Sequence, residues 1–293
     1  MRIYFIFNIH AGKEKVKKNL ADMMEVLCAD GNEVVAHATQ YPGEATELIE
    51  NLPDGFDRVV CSGGDGTLDE VVAGMEKREE KIPIGYIPAG STNDFAVSLG
   101  IPKNMKEAAK VALSSNIFDC DLGYIKDKPF TYVVAFGIFT KVSYATPMKL
   151  KNTIGYAAYL LEGAKSVKDV KSERITVVAK GKRITKDFLF GMITNSASVG
   201  GIKGITGKNV ELNDGLFEVT LVSKPNNLKE LGDVIVALKN RNYKAKGFYS
   251  FKTDKVKFIS EEEVSYTRDG EFGGSYKEVE LVNKKGHLKI AVK

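Results

Sequence analysis

A run of glycines between a strand-like and a helix-like segment is the strongest local signal for chemistry in this sequence. The apolar stretch Val59–Cys61 leads into Ser62–Thr67, which reads Ser-Gly-Gly-Asp-Gly-Thr, and a helical pattern begins there. Glycines let the backbone approach a ligand closely, and a helix N-terminus offers unpaired N–H groups that attract phosphate. The spacing matches neither the GxxxxGK[ST] loop nor the GxGxxG turn, so those two nucleotide-binding superfamilies are disfavoured here. A phosphate-binding loop is favoured over a glycine-rich connection without a ligand.

Two further polar loops follow predicted strands. Asn8–Gly12, with Lys13 behind it, follows the first strand, and Pro88–Phe95 follows the fourth with a glycine, two hydroxyls and an Asn-Asp pair. The second of these loops is equally typical of a helix cap that binds nothing. Because ligands of parallel sheets bind beyond the carboxyl ends of the strands, we expect the three loops to converge on one ligand.

The segments that position these loops alternate between strand and helix. Strands separated by helices of about 10–15 residues indicate a mostly parallel sheet that is covered on both faces. The patterns predict strands at Arg2–Phe7, Glu33–Ala38, Asp57–Cys61 and Ile84–Ile87 and helices at Lys15–Ala29, Glu44–Asn51 and Thr67–Lys77.

After about residue 121 the pattern changes to successive strands, interrupted by helices predicted at Ile154–Val167 and Leu228–Lys239. The fold class that follows is α/β, with an N-terminal doubly wound, mostly parallel sheet domain and a C-terminal antiparallel two-layer β domain. We expect residues 1–121 to form the first domain, completed by the C-terminal strand 279–293, and residues 122–278 to form a β-sandwich-like second domain. The strands predicted in this half are Phe130–Phe139, Arg174–Ala179, Phe188–Asn195, Phe217–Val222, Val256–Ile259, Val264–Arg268, Val279–Val282 and Leu288–Val292.

Three motifs together resemble the diacylglycerol kinase catalytic family, and in particular its soluble bacterial branch. They are Gly63–Thr67, the segment Pro88–Asp94 with the pattern Pro-x-Gly-Ser-x-Asn-Asp, and Asp269–Glu271 far downstream. The resemblance extends over nearly the whole chain, including Asn213–Leu216 and the Thr-Pro near residue 146. It implies a kinase that moves the γ-phosphoryl group of ATP to the free hydroxyl of diacylglycerol, giving phosphatidic acid. Residues 1–121 would then bind ATP and residues 122–278 the lipid acceptor.

The resemblance also implies roles for individual residues. Glu271 would accept the proton of the acceptor hydroxyl, and Lys13 would help to hold the triphosphate. Asp65, Asp94 and Asp269 are candidates for binding a catalytic Mg²⁺ or for ordering the water around it. The implied ATP contacts are Asn8, Ile9, His10, Ala11, Gly12, Thr39, Gly63, Gly64, Asp65, Gly66, Thr67, Leu68, Asp69 and Ser91.

A structural Mg²⁺ is implied for the loop Glu211–Leu216. Its ligands would be the Asp214 carboxylate and the main-chain carbonyls of Glu211 and Leu216, an oxygen-only set that suits this ion when water completes the shell. The residues by themselves favour a plain Asn-Asp-Gly turn.

Three positions depart from the family pattern. Asn8-Ile9 stands where Asn-Pro is usual, so a less rigid loop is expected. Asp69 stands where Asn is usual, which removes amide donors and adds a charge near the phosphates. Ser91 replaces the more common Thr and keeps the hydroxyl.

The basic charge of the chain is concentrated between Lys224 and Lys257. That segment has nine Lys and Arg against three Asp and Glu, a net charge of +6, whereas the whole chain has +4. Such a segment fits the anionic surface of a membrane, where the lipid substrate would lie, or a solvated face that only aids solubility. No nucleic-acid module accompanies it, so no nucleic-acid partner is expected. A homodimer is left open.

Composition supports a soluble, cytoplasmic protein, and the implied lipid substrate leads us to expect that it associates transiently with a membrane. Hydrophobic residues make up 43% and charged residues 27%, and no run approaches the roughly 20 apolar residues of a membrane-spanning helix. The three cysteines form no CxxC pair and the three histidines have no metal-ligand spacing. Two other functions stay open: an NAD kinase-like small-molecule kinase, which the last two motifs disfavour, and a catalytically weak regulator that binds nucleotide or lipid.

Overall fold

The computed structural model describes residues 1–138, 170–200, 202–203, 210–240 and 242–293. Within them the chain forms two compact units, one of Met1–Leu122 with Lys285–Lys293 and the other of Gly123–Lys284. The helix predicted at Ile154–Val167 and the Thr-Pro near residue 146 lie outside the described residues. The predicted fold class is confirmed, because the first unit has parallel strands with helices and the second has antiparallel strands.

The first unit is built on a parallel sheet. Its strands are β1 (Arg2–Phe7), β2 (Glu33–Ala38), β3 (Arg58–Gly63) and β4 (Ile84–Pro88). β1 lies between β2 and β3, and β4 lies on the other side of β3. Every residue of β3 and β4 is buried, as expected for parallel strands with both faces covered. The C-terminal strand of the chain joins this sheet beside β4, where Ile290 pairs in parallel with Ile84.

Helices connect these strands and start close to the polar loops. They are α1 (Ala11–Leu27), α2 (Glu44–Glu50), α3 (Asp65–Lys77), α4 (Asp94–Ser98) and α5 (Met105–Ala112). The α3 helix begins two residues earlier than predicted, because Gly64 is already its extended N-cap. At the other end of the unit, the buried Arg58 guanidinium donates to the carbonyls of Ala112 (2.7 Å) and Ser114 (3.1 Å), which the end of α5 leaves without helical partners.

The second unit consists mainly of antiparallel strands. The strands are β5 (Ile117–Ile125, which begins in the first unit), β6 (Lys128–Phe130), β7 (Val133–Gly137), β8 (Glu173–Ala179), β9 (Lys182–Thr194), β10 (Ser198–Val199), β11 (Ile202–Lys203), β12 (Phe217–Ser223), β13 (Phe248–Thr253), β14 (Lys255–Arg268) and β15 (Glu271–Ala291, which ends in the first unit). They pair in the order β13-β12-β9-β7-β14, and β8 pairs with both β9 and β14. The two strands predicted at Val256–Ile259 and Val264–Arg268 are one long strand, β14, with a shift of register between them.

Two apolar clusters stabilise the second unit. In one of them Phe136 meets the rings of Phe258 and Tyr266 edge-on, at centroid distances of 5.5 and 5.6 Å. In the other, helix α6 (Leu228–Lys239) packs its buried side chains against residues of β7 and β9, with Asn227 as its N-cap. The hairpin β14–β15, which carries Asp269 and Glu271, therefore extends from a well-packed core.

Candidate functional site

The polar loops of the first unit come together as predicted. The Asn8 N–H donates to the Ser62 carbonyl at 3.0 Å, and the Ala89 N–H donates to the Gly63 carbonyl at 2.7 Å. The Thr39 N–H donates to the Phe7 carbonyl at 2.9 Å, so the end of β2 belongs to the same edge. The carboxyl ends of four parallel strands thus present one continuous set of loops.

These loops approach one another so closely that glycine is required at several points. A Cβ atom on Gly90 would lie 2.8 Å from the Cα of Gly64, and one on Gly12 would lie 1.8 Å from the Ala89 carbonyl oxygen. Gly12 also has a φ of +61°, which glycine adopts at little cost. The carboxyl edge of the sheet is therefore lined by backbone. The N-terminus of the 13-residue helix α3 lies at this edge and has no side-chain cap. This backbone cradle fits a nucleotide phosphate.

Asp65 orders the loops instead of pointing away from them. Its Oδ2 accepts bonds from the Thr92 hydroxyl (3.3 Å) and the Asp94 N–H (3.4 Å), which ties the start of α3 to the start of α4. Asp94 is fully buried in the first turn of α4, and Asp69 is buried within α3. In the sequence, Thr92 is one of the two hydroxyls of the Pro88–Phe95 loop that could cap a helix, and its bond to Asp65 could not be foreseen there.

The first loop is held by its own asparagine. Asn8 Oδ1 accepts the His10 N–H at 3.0 Å and so closes a local turn. This turn gives the Asn8-Ile9 loop part of the restraint that proline gives where the sequence reads Asn-Pro. Beyond it, Lys13 and Glu14 have φ angles of +60° and +64°. A left-handed conformation costs a non-glycine residue about 1–2 kcal/mol, and such strain often collects at functional loops.

In the second unit, Asp269 and Gly270 form the two-residue turn between β14 and β15. Arg268 pairs with Glu271, and both turn residues have positive φ (+47° and +89°). An Asp-Gly pair is typical of this tight hairpin. Glu271 follows the turn directly and is exposed.

The carboxylate of Asp269 is fully occupied by the protein. Oδ2 accepts from the N–H (2.6 Å) and hydroxyl (3.1 Å) of Thr131, and Oδ1 accepts from the N–H groups of Tyr132 (3.0 Å) and Val133 (2.8 Å). A carboxylate has about four acceptor positions, so these four donors leave none for a metal ion. The contacts assign Asp269 a role in holding the turn and do not support the Mg²⁺ role considered for it in the sequence.

The loop Glu211–Leu216 places a lysine where the implied cation would bind. Asp214 Oδ1 accepts the Leu216 N–H at 2.9 Å, and Oδ2 lies 2.9 Å from Lys252 Nζ. The same ammonium lies 3.1 Å from the carboxylate of Glu218, whose pKa is raised to about 7 by burial, against the lowering effect of Lys252. No group of three or more metal-binding side chains occurs in the part of the chain that the structure describes.

As arranged, these residues do not fit a divalent ion, because an ion at Asp214 and the ammonium of Lys252 would repel one another at close range. The arrangement therefore does not support the Mg²⁺ site that the resemblance implied for Glu211, Asp214 and Leu216. No step of the proposed reaction runs through it. In the sequence Lys252 counts only as one lysine of the basic segment, and its pairing with Asp214 could not be foreseen, since a lysine on a strand has no distinguishing pattern.

Part of the basic segment is neutralised by carboxylates from elsewhere in the chain. Lys255 and Lys257 lie within ion-pair distance of Glu280 and Glu278 on the neighbouring strand, and Lys252 is engaged as described. Counting charge along the sequence therefore overstates what the segment presents at its surface. Among the described residues, no helix is long and apolar enough to span a membrane.

Comparison with known proteins gives one consistent result. The sequence profile of the diacylglycerol kinase catalytic domain matches residues 2–125. A diacylglycerol kinase of Bacillus subtilis (strain 168) is 30% identical over 293 residues, covering 99% of this chain and 96% of the relative. One of Staphylococcus aureus (strain MRSA252) is 30% identical over 291 residues, with 99% and 91% covered. A solved structure from Bacillus anthracis str. Sterne superposes with a TM-score of 0.84 at 22% identity, covering 100% of this chain and 95% of that one, which shows the same fold.

Proposed function

The chain belongs to the diacylglycerol kinase catalytic family, and on that premise we propose that it transfers the γ-phosphoryl group of ATP to the free hydroxyl of diacylglycerol, giving phosphatidic acid. The observation that carries the proposal is the close approach of the Gly64 and Gly90 backbones beside the N-terminus of α3. Such a cradle can bind phosphate through main-chain N–H groups without any side chain in between.

Phosphoryl transfer requires mainly that charge is neutralised and that the reacting groups are positioned. In the proposed reaction, loop amides of the first unit and Lys13 hold the triphosphate, while Asp65 and its partner Thr92 keep the second loop in place. Mg²⁺, when bound with the nucleotide, would supply further positive charge to the phosphate oxygens.

By resemblance to the family, Glu271 is the proton acceptor. The hydroxyl oxygen of the acceptor forms a bond to the γ-phosphorus, the bond from that phosphorus to the β–γ bridging oxygen breaks, and ADP leaves. The hydroxyl proton passes to the Glu271 carboxylate. A positioned base of this kind contributes about 10²–10⁴-fold to the rate.

The proposal also includes reversible contact with an anionic membrane, because the acceptor lies in a bilayer. Lys229 and Lys244 are exposed in the basic segment, and the large apolar side chain of Leu228 is 60% exposed beside Lys229. Each Lys or Arg close to an anionic leaflet contributes about 1 kcal/mol, an attraction that salt weakens. This combination supports a peripheral and reversible contact with the membrane surface.

A labelled-ATP assay over a panel of acceptors in mixed micelles tests the proposed function. The panel comprises diacylglycerol, monoacylglycerol, undecaprenol and a sphingoid base, with NAD offered in solution. We expect the label in diacylglycerol. Transfer to NAD alone would identify a small-molecule kinase, and ATP binding without transfer to any acceptor would identify a regulator; either result would contradict the proposal.

A further inference from the structure

The segment that carries Glu271 departs from regular strand geometry on both sides of that residue. It begins with a two-residue turn containing Gly270 and continues through Phe272, Gly273 and Gly274. The pairing of β14 with β15 shifts at Gly273, because Thr267 lies opposite Phe272 while Tyr266 lies opposite Gly274. One extra residue on one strand is a β-bulge, which interrupts the regular ladder. Glu271 thus lies between a tight turn and a bulge.

Asp269 anchors the turn at which this segment begins. Besides the four bonds that its carboxylate accepts, its own N–H donates to the Val133 carbonyl at 2.8 Å. Asp269 is only 6% exposed, and its partners Thr131, Tyr132 and Val133 are all buried. Five hydrogen bonds therefore join this one residue to a short buried segment that is 136–138 residues away along the chain.

A turn of this type does not by itself require aspartate. Asn-Gly forms the same tight hairpin at least as readily as Asp-Gly. Asparagine, however, has one acceptor oxygen and an NH₂ group that would face N–H donors, so it can accept no more than half of the bonds that Asp269 accepts. The ionised carboxylate is needed for the bonds to residues 131–133, not for the shape of the turn.

We propose that Asp269 is a positioning residue, which fixes the start of β15 on residues 131–133 and thereby holds the Glu271 carboxylate in its productive orientation. The inference rests on the proposed function, in which Glu271 accepts the proton. Displacing a catalytic group by about 1 Å can lower a rate by 10²-fold, so loosening the turn affects turnover although Asp269 touches no reacting atom.

The test compares Asp269→Asn with Asp254→Asn, which makes the same chemical change at an exposed turn residue between β13 and β14. Hydrogen exchange at the amides of residues 131–133 measures the anchor, and steady-state kinetics measure its effect on Glu271. We expect Asp269→Asn to speed exchange at these amides by about tenfold or more, since hydrogen bonds to charged groups are strong. Its kcat should fall by about 10–100-fold with the KM for ATP unchanged. The control should change neither.

A double variant separates positioning from general destabilisation. If Asp269 acts through Glu271, Asp269→Asn adds no loss of kcat to Glu271→Gln, whereas independent effects would multiply. Thr131→Val keeps the side-chain shape, removes only the hydroxyl donor, and should show the same two effects more weakly. It preserves the test if Asp269→Asn does not fold.

Unchanged kcat with faster exchange, or multiplying effects in the double variant, would overturn the positioning role while the kinase activity stands. Unchanged exchange in both Asp269→Asn and Thr131→Val would overturn the anchor itself. A wild-type protein that transfers no phosphate to lipid would instead refute the proposed function, and with it the role of Glu271.

Discussion

Replacing Gly64 by valine should separate the folding of the first unit from its capacity to bind ATP. Gly64 has φ −83° and ψ −177°, an extended conformation that β-branched residues adopt easily. A Cβ atom there would meet only the Cα of Gly90, at an ordinary contact distance of 3.6 Å. The structure therefore tolerates the substitution, but the added methyl groups occupy the edge at which main-chain N–H groups would bind phosphate.

The size of the two effects follows from this geometry. Losing glycine at the N-cap of α3 costs about 1 kcal/mol, so Gly64→Val should unfold only slightly below the wild type. The affinity for ATP should fall by at least tenfold, which corresponds to about 1.4 kcal/mol. Differential scanning calorimetry measures the first quantity and isothermal titration calorimetry with ATP measures the second.

Two glycine-to-alanine variants calibrate these measurements. A Cβ on Gly90 would lie 2.7 Å from Asn93 Oδ1 and 2.8 Å from the Gly64 Cα, so Gly90→Ala should lose about 1–3 kcal/mol of stability through overpacking. Gly232 lies in α6, where an added Cβ would meet no atom within 4 Å, so Gly232→Ala should gain about 0.5–1 kcal/mol and leave ATP affinity unchanged. A folded Gly64→Val protein with wild-type ATP affinity would refute the phosphate cradle.

Three further outcomes are expected. Lys252→Met should lower the free energy of unfolding by about 1–3 kcal/mol, and Mg²⁺ should then raise the melting temperature of the variant. The melting temperature of the wild type should be the same in Mg²⁺ and in chelator, and a wild-type protein that Mg²⁺ stabilises would contradict this. The pKa of Glu230 is lowered to about 2 by the Asn226 N–H and then by Lys246, so its stabilising effect is present above its ordinary pKa of 4.5 and is lost as the pH falls through 2. Glu230→Gln should therefore melt below the wild type at pH 7 and together with it near pH 2, and a constant difference would be evidence against the assignment. Lys229→Glu and Lys244→Glu should each weaken co-sedimentation with phosphatidylglycerol vesicles at low salt, whereas the control Lys103→Glu should not. Equal binding to charged and uncharged vesicles would exclude the basic contact.

The sequence predicted the first unit well because its signals are local. The strands Arg2–Phe7 and Glu33–Ala38 lie where the apolar runs predicted them. Loop convergence at the strand ends follows from parallel topology alone, so Ser62–Thr67 and Pro88–Phe95 could be brought together without knowledge of their contacts. The hydrogen bonds between the loops could not be foreseen, for example the bond that the Thr92 hydroxyl donates to Asp65.

The second unit shows what local patterns leave out. The last strand, Glu271–Ala291, reads in the sequence as two short strands, because charged residues such as Lys284 and Lys285 interrupt its apolar pattern. The partners of Asp269 are mainly main-chain N–H groups more than 130 residues away, and a main-chain group has no residue type to recognise. The ion pair between Lys252 and Asp214 depends on the same long-range pairing of strands.

The proposed function is tested most directly by following γ-labelled phosphate from ATP into diacylglycerol with the wild-type protein and with Glu271→Gln. We expect labelled phosphatidic acid from the wild type, and turnover at least about 100-fold slower from Glu271→Gln, whose melting temperature and ATP affinity should be those of the wild type because only the base is lost. Wild-type protein that binds ATP but labels no lipid, or equal turnover by the two proteins, would contradict this account.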